Sequence, residues 1–239
     1  MCYIGMHPNI VGFFGAYIKE IHKGILFVAT EYCSNGSLES YLRKKKQVVD
    51  QKEDTVYQDT QLENFLYSHE LHQFSIGIAN GMGYIESKHV VHGDLAARNV
   101  LLDEYLNCKI GDFGLSRKLY EYQKYVKKSQ EPLPWKWMAY ESLTKREFTS
   151  KSDVWSYGVT LWEIYSLGKT PYGGLNWTTE FADELQNGLR LTKPQFANEE
   201  IYSKMFDCWN LDVENRPRFS EIAELFKRLC GSSYTILSE

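Results

Sequence analysis

The chain has 239 residues, 43% hydrophobic and 24% charged, enough to bury one substantial core or two small ones. A net charge of −4 gives no basic footprint, so no nucleic-acid partner is expected. Five scattered cysteines (Cys2, Cys33, Cys108, Cys208, Cys230) form no C-x-x-C pair, which argues against a disulfide framework or zinc site and fits a reducing compartment. No run of eighteen apolar residues and no signal peptide is present.

In chain order, residues 11–18 and 25–32 read as apolar, aromatic strands separated by a polar turn at His22-Lys23-Gly24. Residues 43–67 are polar, charged and aperiodic, which predicts a surface loop or insertion. The basic run Arg43 to Lys46 lies in it, answered by Asp50, Glu53 and Asp54. Leu71, Phe74, Ile78, Met82 and Ile85 recur at helical spacing and predict an amphipathic helix of about five turns. Residues 92–117 are dense in Gly, Asp, Asn and Arg, the composition of loops that carry chemistry. The stretch 153–167 is apolar nearly all round (Val154, Trp155, Val159, Leu161, Trp162, Ile164), as in a helix buried in a core. Phe219, Ile222, Leu225, Phe226 and Leu229 predict a last amphipathic helix, and no internal repeat is evident.

The strongest signal is His92-Gly93-Asp94-Leu95-Ala96-Ala97-Arg98-Asn99, followed by Asp112-Phe113-Gly114. The two segments resemble the catalytic loop and metal-binding loop of protein kinases, H-R-D-L-x-x-x-N and then D-F-G. The eighteen residues from Asp94 to Asp112 allow a short hairpin that returns the chain to one cleft. Phosphoryl transfer needs a carboxylate near the attacking hydroxyl and oxygen ligands that hold magnesium against the triphosphate. The resemblance gives Asp94 the first task and Asn99 and Asp112 the second, with ATP and Mg2+ as cofactors.

The architecture it implies is the α+β protein-kinase fold. Residues 1–33 would be a partial β N-terminal lobe with the hinge, and 34–239 a mainly helical C-terminal lobe. The latter would contain the insert loop at about 43–67, the catalytic loop 92–99 and the activation segment 112–141.

Arg98 stands four residues after Asp94 in an Ala-Ala-Arg form that resembles receptor tyrosine kinases. Leu133-Pro134-Trp135-Lys136-Trp137-Met138 is similar to the tyrosine-kinase substrate-binding segment. Proteins bearing tyrosine are therefore the implied substrates, with Arg98 beside Asp94 and Asn99 in the catalytic set. The implied parent is a single-pass plasma-membrane receptor that dimerises, with this domain on the cytoplasmic side.

Thr30-Glu31-Tyr32-Cys33 resembles the hinge between lobes, and His7-Pro8-Asn9-Ile10-Val11 the loop after the regulatory helix. By that likeness Thr30 guards a back pocket, the backbones of Glu31 and Cys33 bond adenine, and Leu101 floors the adenine site. His92 and Phe113 are expected to be structural. So are Glu141, Asp153 and Arg216: Glu141 and Arg216 as a buried pair, Asp153 as acceptor for the catalytic-loop backbone. The hinge, the insertion and the activation segment resemble the platelet-derived and vascular endothelial growth factor receptor group. Such receptors carry tyrosines at the places of Tyr120 and Tyr125, which makes both expected autophosphorylation sites; Tyr122 reads equally well as an exposed loop aromatic.

Some departures weigh against full activity. The sequence contains no G-x-G-x-x-G and no Val-Ala-x-Lys strand, parts needed for efficient transfer, so the chain alone is expected to be inactive or nearly so. Gly93 stands where the pattern has an arginine that receives the activation-segment phosphate. Tyr140 replaces the proline of A-P-E, and Trp135 is bulkier than the usual aliphatic residue. These departures keep open a pseudokinase scaffold, or a regulatory fragment that binds kinase partners, beside the active receptor kinase.

Overall fold

The computed structural model describes residues 4–53, 60–115, 117–118, 125–126 and 133–235. The chain opens with an antiparallel hairpin of β1 (Phe13–Tyr17) and β2 (Phe27–Thr30), which pairs Tyr17 with Phe27 and Phe13 with Thr30 across a bulge. Both expected strands are present, shorter than their apolar runs. Every residue of β2 is exposed, and Phe14 and Phe27 point their rings into solvent, so the hairpin adds little to the core.

Helix α1 (Leu38–Glu53) and helix α2 (Thr60–Ser87) come next. The surface loop expected over 43–67 is therefore corrected: its described residues are helical on both sides. Good helix formers, rich in Lys, Gln and Glu, need only a narrow anchor to stay helical. Leu38 and Leu42 supply it, both fully buried one turn apart. Charge pairs one turn apart support the outer face, Glu39 with Arg43 at 2.7 Å and Lys46 with Asp50 at 2.5 Å. Lys45 reaches across to Glu70 on α2 at 2.5 Å.

The middle of the chain folds into small antiparallel ladders. β3 (Val90–Val91) is followed by β4 (Val100–Leu102) and β5 (Cys108–Ile110), which pair with each other. β6 (Arg117–Lys118) returns to pair with β3. β7 (Tyr125–Val126) pairs with β8 (Glu147–Phe148), and α3 (Tyr140–Thr144) lies between these two in sequence. The rest is helical: α4 (Ser150–Tyr165), α5 (Phe181–Gln186), α6 (Glu199–Cys208) and α7 (Phe219–Thr235).

Helix α4 is the centre. A capping box starts it: Thr149 Oγ1 accepts from the Ser152 N–H, and Ser152 Oγ accepts from the Thr149 N–H. From Ser152 to Tyr165 every residue is buried, as the apolar run predicts. Gly158 lets α6 come close, since a Cβ there would lie 2.7 Å from Cys208 Cβ. Leu71, Phe74, Ile78, Met82 and Ile85 are all fully buried on α2, which packs along α7 and against α4.

One polar side chain is trapped in that packing. His72 is buried beside Tyr165 and Phe226, and neither ring nitrogen meets a hydrogen-bond partner among the described residues. Burial, then the nearby His69, pushes its pKa down to about 4. Below pH 6.5 the unfolded chain therefore takes up a proton that the folded chain refuses until about pH 4. Stability that His72 permits at neutral pH is lost as pH falls through that window. His72→Leu is expected to gain stability relative to the parent chain by up to about 1.4 kcal/mol per pH unit on going from pH 6.5 to 4. Urea melts of both chains across that range check it; curves that stay parallel would contradict it.

Candidate active site

Asp94 lies at the turn after β3, with its carboxylate held by two neighbours. Arg98 Nη2 donates to Asp94 Oδ1 at 2.5 Å. Asn99 Nδ2 donates to Asp94 Oδ2 at 3.0 Å and to the Asp94 carbonyl at 2.6 Å. A 3-10 turn at Ala97–Asn99 brings both donors back over the aspartate. Burial pushes the Asp94 carboxyl above its ordinary value, while Arg98 and Asn99 pull it down.

The neighbouring loop is tied to this one through backbone. The Gly111 N–H donates to the Asn99 carbonyl at 2.8 Å, and His92 Nε2 donates to the Gly111 carbonyl at 3.0 Å. With Nε2 carrying the proton, His92 Nδ1 accepts from the Asp94 N–H at 3.2 Å. Full burial holds His92 neutral, with its pKa pushed down to about 4. Its ring packs 5.1 Å from that of Phe113. Asp112 follows Gly111 with φ 50, a left-handed conformation that is uncommon for a non-glycine residue. Its Oδ1 accepts from the Gly114 N–H at 3.2 Å, and the residue is exposed.

Two hard oxygen donors are near Asp94: the Asp112 carboxylate, whose charge acts on Asp94, and the amide oxygen of Asn99, whose nitrogen is committed to Asp94. A donor set this small fits a divalent cation that shares its shell with phosphate oxygens. It does not make a protein-only cage: among the described residues no group of three or more His, Cys, Asp or Glu could hold a metal.

Helix α4 grips the loop from behind. Asp153 accepts from the His92 N–H at 2.8 Å and from the Gly93 N–H at 2.9 Å. Burial pushes its carboxyl up to about 7 against these two donors. Glu163 accepts at one oxygen from the Ala97 N–H, 3.0 Å, and from Trp137 Nε1, 2.8 Å. Farther off, Arg216 meets Glu141 through two parallel bonds of 2.7 and 2.8 Å, and its guanidinium stands 5.1 Å from the Trp155 ring.

Thr30 ends β2 and is exposed, Cys33 is buried, and Leu101 is half-buried on β4, bridged to Ser37. The Glu31 N–H donates to the Gly12 carbonyl, and its carboxylate accepts from the Gly12 N–H at 3.0 Å and from Lys109 Nζ at 2.7 Å. The Glu31 carbonyl and the Cys33 N–H have no backbone bond among the described residues, so both remain available to a planar ligand. Tyr120 and Tyr122 lie outside the described residues. Tyr125 is in β7, opposite Phe148.

The family described as protein tyrosine and serine/threonine kinase matches residues 1–226, and the chain belongs to it. Among relatives, vascular endothelial growth factor receptor 1 of Rattus norvegicus is 36% identical over 94% of this chain and 20% of its own length. The Gallus gallus receptor of the same name is 36% identical over 98% of the chain and 21% of its own length. A fibroblast growth factor receptor of Ciona intestinalis is 40% identical over 98% of the chain and 31% of its own length. The chain thus spans about a fifth to a third of these receptors. Protein kinases use ATP and a divalent metal, and the mainly helical architecture with small ladders is that of a kinase C-terminal lobe with part of the other lobe.

Sequence reasoning missed two residues of the neighbourhood. Glu163 was hidden in an apolar run, although one carboxylate in a buried helix is itself a signal, because it demands donors. Lys109, alternating with Cys108 and Ile110 on β5, looked like an ordinary outward residue of a short strand. Gly93 has φ 77, a conformation that costs an L-residue about 1–2 kcal/mol. Gly93→Ala is expected to lower unfolding free energy by that amount in a urea melt; an unchanged midpoint and slope would contradict it.

Proposed function

We propose that this chain is the catalytic part of a receptor protein-tyrosine kinase, which transfers the γ-phosphoryl group of ATP to a tyrosine hydroxyl of a protein. The reading rests above all on one observation: Asp94 is oriented by Arg98 and Asn99 on a loop whose Asn99 carbonyl accepts from the N–H of Gly111, the residue before Asp112. Magnesium–ATP, when bound, supplies the phosphoryl group and the positive charge that offsets its oxygens.

The residues divide the rest. Asp94 orients the tyrosine hydroxyl and takes its proton as the new oxygen–phosphorus bond forms and the γ-phosphorus parts from the bridging oxygen, which leaves on ADP. Its raised proton affinity helps it accept that proton, while Arg98 keeps the carboxylate facing one way. The Asn99 amide oxygen and the Asp112 carboxylate hold Mg2+. The Glu31 carbonyl and Cys33 N–H would bond adenine, Leu101 would floor its site, and Thr30 would guard the pocket behind it. His92, Phe113, Asp153, Glu141 and Arg216 keep the loops in register. Tyr120 and Tyr125 are the proposed autophosphorylation sites. The relatives are named as growth factor receptors, which supports a membrane-anchored parent that works as a dimer. Among the described residues no helix is long and apolar enough to cross a membrane.

A phosphotyrosine assay with magnesium–ATP and a tyrosine peptide, run on the native protein, tests the reading. Asp94→Asn is expected to lower kcat at least about a hundredfold while leaving nucleotide affinity within a small factor. No transfer by the native protein, or an Asp94→Asn variant as fast as the parent, would overturn it.

A further inference from the structure

Glu163 is a charge-bearing group that the mechanism above leaves without a task. It is 1% exposed, ten residues along α4 from Asp153, in the middle of the core. One of its carboxylate oxygens collects two donors from separate segments: the Ala97 N–H in the catalytic loop and the Trp137 indole N–H near the end of the activation segment. The indole so fixed is not inert. Its ring carries the Arg98 guanidinium, whose carbon lies 4.4 Å from the ring centroid, and Arg98 in turn holds Asp94 Oδ1 at 2.5 Å. A guanidinium stacked on an aromatic face keeps its plane, so the orientation of the ring sets that of the fork presented to the carboxylate.

We propose that Glu163 is a positioning residue: it fixes the Trp137 indole, the indole face fixes Arg98, and Arg98 aims the Asp94 carboxylate. One buried carboxylate thereby ties the segment beside the incoming substrate to the base that acts on it. The inference rests on the phosphoryl-transfer reading for its catalytic consequence, but its geometry stands independently. Three features favour this coupling over a purely architectural role. Trp137 and Arg98 are both only half-buried, so neither is locked by packing alone. Two donors on one oxygen make the carboxylate a hinge point between two loops. And burial pushes Glu163 up to about 7 against both donors, so the site keeps a group whose charge is costly there.

The test has one arm that needs no activity. In this chain, the Arg98 guanidinium and Trp137 indole N–H signals are followed by NMR in the parent, Glu163→Ala, Glu163→Gln and Trp137→Phe. The parent is expected to show separate, slowly averaging Arg98 Nη–H signals. Glu163→Ala and Trp137→Phe should both collapse them, the second although it leaves an aromatic face in place. Glu163→Gln, whose amide oxygen still accepts, should largely restore them. Should Glu163→Ala fail to fold, Trp137→Phe at its half-buried position and Glu163→Gln decide the matter. Arg98 signals that stay separate in Trp137→Phe would overturn the proposal.

In the native protein, Glu163→Ala and Trp137→Phe are each expected to lower kcat by about ten- to a hundredfold with little change in the peptide KM. The double variant should fall no further than the worse single one. Losses that simply multiply would overturn the relay. If Arg98 loosens as expected while the native protein transfers no phosphate, the positioning is supported and the phosphoryl-transfer reading fails instead.

Discussion

Helix α4 carries two carboxylates, Asp153 and Glu163, into the interior, where a charge is tolerated only when donors surround it. The donors they find are not on other α-helices. Asp153 takes the N–H groups of His92 and Gly93, and Glu163 takes those of Ala97 and the Trp137 indole. The loop that presents Asp94 is therefore bonded to α4 on either side of Asp94.

That constraint orders a loop that has neither α-helix nor strand of its own. A segment of short bends and one 3-10 turn would ordinarily sample many conformations. Here the loop is bonded to α4 at residues 92, 93 and 97, and Arg98 and Asn99 fold back to bond Asp94. The second loop is fastened to the first by Gly111, on one side to Asn99 and on the other to His92. Because His92 must donate through Nε2 and accept through Nδ1 at once, it has to be neutral, and its burial keeps it so. The candidate site is thus an extension of core packing, and a defect in α4 reaches Asp94 by way of hydrogen bonds.

Much of this could be read in the chain beforehand, for reasons that differ by element. The five apolar positions of α2 and the apolar run of α4 were legible because burial on one or all faces imposes a pattern that nothing else produces. Asp94, Arg98, Asn99 and Asp112 were picked out because their order and spacing resemble the kinase loops, and the structure brings Arg98 and Asn99 onto Asp94. Residues 43–67 were not legible, since the fully buried anchors of α1, Leu38 and Leu42, lie ahead of the charged stretch; within it Val49 packs against the core without setting up an apolar period, and charge pairs and propensity support the rest. Glu163 was illegible for the opposite reason: the surrounding apolar signal was so strong that one acid within it passed as tolerance. Its partners come from positions 97 and 137, and no local pattern announces a contact that only the tertiary fold creates.

Gly93 is best understood from the same carboxylate. For Asp153 to take two successive N–H groups, the backbone must turn so that both point to one side, the geometry of an anion-binding nest, which uses a left-handed residue. Position 93 supplies it at φ 77. An arginine there, as in the kinase pattern, would carry about 1–2 kcal/mol of backbone strain in exchange for a side chain that can clamp a phosphate. Glycine meets the backbone demand of Asp153 without that strain and gives up the clamp. In this chain the order of the loop is accordingly set from inside, by α4, and phosphorylation of the activation segment has no guanidinium at position 93 on which to act.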